Sequence, residues 1–227
     1  KKLLTYSDRF RYVSNALQND TFFGEDSVRG AEQLLITEGI TDAISARQAG
    51  IPCISPVTVR FRKRDIPKLL QLTRFAKRVI ICNDAEANGA GNKGAMETAA
   101  ALHFAKREVR IAELPRPDGV DKVDVNEFLK QNPPEVFAQI LDQAKGYVDL
   151  LLESVPTDTS KTELEAKLTP ILEAISVYQG VRCDAYLNAI VERFGIGKRV
   201  LSRTYKSVQH ERARRLAAER AKEKQLP

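Results

Sequence analysis

The sequence predicts an α/β fold in which a mostly parallel sheet with flanking helices precedes an all-helical C-terminal region. Three observations carry this reading. Apolar runs alternate with helical segments from residue 34 to about 130, joined by short connections, the pattern of strands returning in parallel through crossover helices. The two strongest runs, Leu34-Leu35-Ile36-Thr37 and Val79-Ile80-Ile81-Cys82, are apolar at successive positions, as strands covered on both faces require. After Pro133-Pro134 the strand pattern stops and only helical segments follow.

Strands are expected at 34–37, 52–54, 78–83 and 108–113, and helices near 41–49, 65–73 and 93–106. Gly50-Ile51-Pro52 marks a helix stop and a strand start, and Pro115-Arg116-Pro117-Asp118-Gly119 is a loop by composition. The C-terminal helices are expected at 134–144, 147–154, 161–178, 183–194 and 198–224, punctuated by Pro156 to Ser160, Pro170 and Gly180. Tyr186 to Leu201 has a helix–Gly turn–helix rhythm with a basic second helix. Either a DNA-reading helix-turn-helix or plain helix packing fits it.

A chain of 227 residues holds one large or two small domains, and 43% hydrophobic with 29% charged residues is ordinary for a globular protein. No apolar run approaches the roughly 18 residues of a membrane span, and no signal peptide is visible. The chain opens Lys1-Lys2 without methionine, which predicts a fragment of a longer protein. Cys53, Cys82 and Cys183 lie far apart, with no zinc spacing, and a reducing cytoplasmic setting fits them best. His103 and His210 fall on expected helices as packing or surface residues. The net charge of +6 is unevenly placed: residues 182–227 hold 12 Lys/Arg against 5 Asp/Glu, and the rest is nearly balanced. That asymmetry points to a nucleic-acid or acidic-partner surface, or to a solvated basic helix.

The motifs with chemistry sit at the ends of the two apolar runs. The first ends in Glu38-Gly39, with Asp42 on the first turn of the next helix. The second ends in Asn83-Asp84-Ala85-Glu86. Ligands of open α/β sheets bind at the carboxyl ends of strands, and two strands delivering carboxylates to one edge predict a divalent-metal site. Asn88-Gly89-Ala90-Gly91-Asn92-Lys93-Gly94 follows and opens a helix, so it is either a phosphate-approach loop holding Lys93 or a flexible turn. Arg60-Phe61-Arg62-Lys63-Arg64 is a basic run beside an aromatic, suited to template or triphosphate contacts or simply solvated. Arg199 and Arg203 belong to the basic C-terminal helix as nucleic-acid candidates.

Together the strand-end Glu38-Gly39 and Asp84-Ala85-Glu86 resemble the Toprim domain shared by DnaG-type primases, topoisomerases, RecR-type repair proteins and some nucleases. The family's second motif is Asp-x-Asp, and here Glu86 replaces its last acid. Asp124-Val125-Asn126-Glu127-Phe128-Leu129 resembles the acidic segment of primase Toprim domains, with Asn126 where a second acid would stand. It also reads as an N-cap with Glu127 completing a capping box. Arg11-Tyr12-Val13-Ser14 and Phe22-Phe23-Gly24 loosely resemble the end of the subdomain that precedes Toprim in primases.

The resemblance implies a Rossmann-like Toprim catalytic domain at 32–132, between the end of an N-terminal primase subdomain at 1–31 and a helical region at 133–227. It implies Mg²⁺ or Mn²⁺ chemistry with no zinc in this segment. Asp84 and Glu86 would be the main ligands, Asp42, Asp124 and Asn126 would support a second ion, and Glu38 would be a ligand or a general acid/base. The implied activity is primer synthesis from NTPs on single-stranded DNA, in the nucleoid, with the replicative helicase as a partner. A Toprim nuclease and a non-catalytic DNA-binding adaptor are the rival readings.

Overall fold

The computed structural model describes residues 21–56, 61–86 and 90–223. The expected N-terminal motifs at 11–14, together with Arg60, Asn88, Gly89 and Lys224, lie outside the described residues.

The apolar runs form the centre of a six-stranded sheet. In chain order its strands are β1 (Phe22–Phe23), β2 (Gln33–Thr37), β3 (Cys53–Pro56), β4 (Arg78–Cys82), β6 (Val109–Ile111) and β8 (Lys145–Gly146). The spatial order is β1-β3-β2-β4-β6-β8. The inner four strands are parallel, with Leu35 beside Ile80 and Val79 beside Val109. The short edge strands β1 and β8 run antiparallel. A separate two-stranded ribbon pairs β5 (Ala85–Glu86) with β7 (Lys122–Val123).

Side chains alternate along each strand between two cores. Leu34, Ile36, Ile54, Val79, Ile81, Val109 and Ile111 enter one, while Leu35, Cys53, Ile80 and Cys82 enter the other. The second face is covered by α1 (Ile40–Gln48), α4 (Val125–Gln131) and α5 (Pro134–Asp142), through Ala43, Ala46, Val125, Phe128, Phe137 and Leu141. The first is covered by α2 (Ile66–Leu72) and α3 (Ala90–Phe104), through Leu69, Ala95, Ala99 and Leu102. The helices α6 (Tyr147–Glu153), α7 (Lys161–Ile175), α8 (Val181–Phe194) and α9 (Lys198–Glu223) extend that same core.

Elements on both sides of the expected boundary at 132 pack on the same sheet. Both α5 and β8 come after it, and β8 completes the sheet. The expected helix at 93 starts three residues earlier, at Ala90, with Gly91 in its first turn close against the backbone of Asp84. No described helix is long and apolar enough to cross a membrane.

His103 joins the helical region to the α/β layer. It is 1% exposed, and its Nε2–H donates to the Ala174 carbonyl at 2.8 Å, tying α3 to α7. Burial lowers its pKa below the ordinary 6.5. The unfolded imidazole takes up a proton that the buried one does not, so stability is present above pH 6.5 and falls as pH drops below it. The loss is expected to reach on the order of 1 kcal/mol per pH unit. Thermal melts between pH 7 and 5.5 should show this slope in the native chain and a flatter one in His103→Gln.

Candidate metal and nucleotide site

The carboxyl ends of β2 and β4 lie side by side, since the strands pair in register from Gln33 against Arg78 to Thr37 against Cys82. Each chain then turns out of the sheet carrying acids. Glu38 follows Thr37 directly. Asp84 stands two residues beyond Cys82, and Glu86 enters β5.

Asp42 sits in the first turn of α1, where a negative charge favours the helix dipole. It is 4% exposed, and both its oxygens are engaged. Oδ2 accepts from the Gly39 amide at 3.1 Å, and Oδ1 accepts from the Asn126 amide at 3.0 Å. Asp124 caps α4 by accepting from the Glu127 amide at 2.6 Å. The Asn126 side chain accepts from Ser45 Oγ at 2.9 Å. Asp42 and Asn126 thus stitch α1 to α4 through their own bonds.

The acids share one electrostatic environment. Burial, aided by the charge of Asp84, raises the Glu38 pKa. Burial raises Asp84, opposed by its hydrogen bond from Lys122. Asp42 is pushed up to about 6, chiefly by burial and then by Asp124 and Asp84, against the Asn126 amide. Carboxylates this crowded and desolvated favour a cation among them.

The cation found there is the ammonium of Lys122. It forms an ion pair with Asp84 and lies 4.0 Å from Glu86. The β5–β7 ribbon sets this by pairing Glu86 with Lys122 across the strands, and the Asp84 hydrogen bond raises the lysine's pKa. Sequence reasoning missed Lys122, because strands of two residues leave no periodic signal.

Hard oxygen donors from several carboxylates fit Mg²⁺ or Mn²⁺, and a side-chain cation between Asp84 and Glu86 shows that this spot accepts positive charge. Among the described residues, however, no three His, Cys, Asp or Glu side chains are gathered closely enough to hold an ion by themselves. The expected ligands are therefore neighbours in one field, with Asp42 and Asp124 also accepting backbone amides at the starts of α1 and α4.

Beside the acids opens a cleft of about 300 Å³. Its lining includes Glu38, Glu86, Asn83, Gly91, Lys93 and Phe61. Gly91 allows α3 to begin here: a Cβ at this position would collide with the Asp84 carbonyl oxygen. Asn83 Nδ2 donates to the Gly91 carbonyl at 3.1 Å, locking the acid loop onto the helix. Lys93 is exposed on the first turns of α3 at the cleft wall, so among the described residues it is the expected basic residue that lines the cleft beside the acids.

The others stand elsewhere. Arg62 is held on Asp65 by a two-pronged pair, Nε to Oδ2 at 2.9 Å and Nη2 to Oδ1 at 3.0 Å. Lys63 and Arg64 are exposed on the 3₁₀ turn Lys63–Asp65. Phe61 of the same run packs edge-on against Phe22 with ring centroids 4.9 Å apart. Arg199 and Arg203 are exposed on α9.

The family model for Toprim-like domains matches residues 35–129, the segment from β2 to α4 that contains every one of these acids. Over that segment the chain is similar to Toprim-like domains, and its fold is similar to part of solved DnaG primase catalytic cores. A structure of the Aquifex aeolicus primase zinc-binding and RNA polymerase domains is 20% identical with a TM-score of 0.58, covering 83% of this chain and 45% of that one. A DNA primase domain from Pseudomonas aeruginosa is 16% identical with a TM-score of 0.62, covering 83% and 60%. A DnaG primase catalytic domain bound to ssDNA is 21% identical with a TM-score of 0.59, covering 78% and 57%. The chain thus spans about half to three-fifths of the length of these structures. No curated protein matches it in sequence.

Proposed function

We propose that the chain is the Toprim-containing part of a DnaG-type primase catalytic core, making short primers from NTPs on single-stranded DNA. The observation that carries this is the meeting of Glu38, Asp84 and Glu86 at the ends of adjacent parallel strands, beside a cleft walled by Lys93 and the start of α3. The likeness to a primase catalytic domain bound to ssDNA supports the template as partner.

Asp84 and Glu86 would hold Mg²⁺ or Mn²⁺, with Asp42 and Asp124 supporting a second ion. Such ions would neutralise the triphosphate and activate a 3′-hydroxyl. Lys93 and the first amides of α3 receive phosphate oxygens. Glu38, its pKa raised, takes or holds a proton at the cleft wall. The hydrogen bonds joining α1 to α4 through Asp42 and Asn126 fix the floor on which these groups stand.

The Lys122 ion pair favours a second reading, in which a fixed internal cation leaves a DNA-binding module without catalysis. One assay separates the readings. Incubating the chain with single-stranded template, NTPs and Mg²⁺ or Mn²⁺ is expected to give new oligonucleotides. Degraded template would indicate a Toprim nuclease. Bound template with neither product would indicate the non-catalytic module.

A further inference from the structure

Residues 198–210 contain Lys198, Arg199, Arg203 and Lys206 and no acid. All four are exposed on the first three turns of α9, where with Ser202 they line a shallow depression of about 340 Å³. They fall on one face, in a stripe about 12 Å long at the helical rise per residue. The opposite face fixes their direction. Leu201, Tyr205 and Val208 are buried, and Tyr205 Oη lies 3.2 Å from Cys183 Sγ of α8.

This stripe is electrostatically unbalanced. A helix N-terminus carries partial positive charge and favours acids. The first turn of α9 has none and presents Lys198 and Arg199 instead. Among the described residues none of the four cations makes an ion pair. Two later arginines on the same helix are partnered: Arg212 reaches Ser176 Oγ at 3.2 Å and lies over Phe104, and Arg215 pairs with Glu173 at 2.9 Å. The early stripe therefore lacks the counter-charge that its position calls for.

The approach to α9 is a short glycine turn. α8 ends on Gly195 in the left-handed conformation, φ +64°, with its amide bonded to the Val191 carbonyl at 2.9 Å. Ile196 and Gly197 follow, and α9 begins at Lys198. A three-residue glycine turn between two packed helices is helix-turn-helix spacing, and in that motif the first residues of the second helix meet the DNA.

We propose that the first three turns of α9 are a contact surface for double-stranded DNA, separate from the acid cleft. Lys198, Arg199, Arg203 and Lys206 take the phosphates, and Ser202 faces the groove between them. A helix of about 10–12 Å diameter fits a B-form major groove of about 12 Å. The deep, narrow major groove of an RNA duplex excludes it.

The test is fluorescence anisotropy with a short labelled DNA duplex in EDTA, across a salt series. Replacing the four cations with glutamine is expected to lower affinity more than tenfold at low salt. The log–log salt slope should become shallower by about three to four, with the melting temperature unchanged. Should that variant melt low, Arg203→Glu alone must weaken binding in the same direction. Asp84→Ala must keep native duplex affinity in EDTA, which separates this surface from the proposed catalytic function. Unaltered affinity and slope in the fourfold variant would overturn the proposal, as would an equal loss of single-stranded DNA or duplex RNA affinity in that variant.

Discussion

Asp84→Ala is expected to lose metal-dependent nucleotide addition by on the order of a hundredfold or more, the usual scale for removing one preorganised charge from a reaction centre, with its melting temperature nearly unchanged. Asp84 is 6% exposed, yet its principal side-chain partner is the half-exposed Lys122, which regains water once the carboxylate is gone. Burial opposes the Asp84 charge, so its removal takes little from the fold. Calorimetric titration with Mn²⁺ should show the tighter binding event abolished. Full activity at an unchanged melting temperature would remove Asp84 from the site.

Gly91→Ala is expected to damage both stability and activity. The added Cβ meets the backbone oxygen of Asp84, which no rotamer change can move away. Either α3 shifts outward or the acid loop does, and overpacking of this kind costs about 1–3 kcal/mol. The shift would also break the Asn83 bond to the Gly91 carbonyl and carry Lys93 away from Glu86. A lower melting temperature together with a raised KM for NTPs is the expected pair of results. An unchanged KM would show that α3 does not set the nucleotide position.

The parts of this architecture that were legible in the sequence are those fixed by burial on two faces. β2 and β4 are parallel and central, so they are apolar throughout, and their acids stand where the sheet ends. Less legible were features made by pairing over long separations. β5 and β7 are two residues each, and only their meeting puts Lys122 on Asp84. The edge strands β1 and β8 are equally short. The basic run at 60–64 read as an open surface, but Asp65 claims Arg62 three residues away. Asp42 and Asn126 read as metal residues from the motif, and their bonds joining α1 to α4 across more than eighty residues left no mark in the sequence. The helical region read as a separate unit because its helices follow the sheet in sequence. Their apolar faces nevertheless lie on the α3 side of that sheet, with Ile171, Leu172 and Ile175 in one core with Val79 and Ile81. For α9, the basic composition read as a nucleic-acid or acidic-partner surface or a solvated helix. The helix stays continuous to Glu223, with Val208 the last buried residue.

The central claim is that the acids closing β2 and β4 hold a divalent cation at a nucleotide site. Anomalous diffraction from crystals of the chain soaked in Mn²⁺ and a nonhydrolysable NTP tests it most directly. The account predicts a manganese peak at Asp84 and Glu86, with Lys122 displaced from Asp84 and phosphate density reaching Lys93. A Lys122–Asp84 pair left intact, with no manganese at that edge, would contradict it.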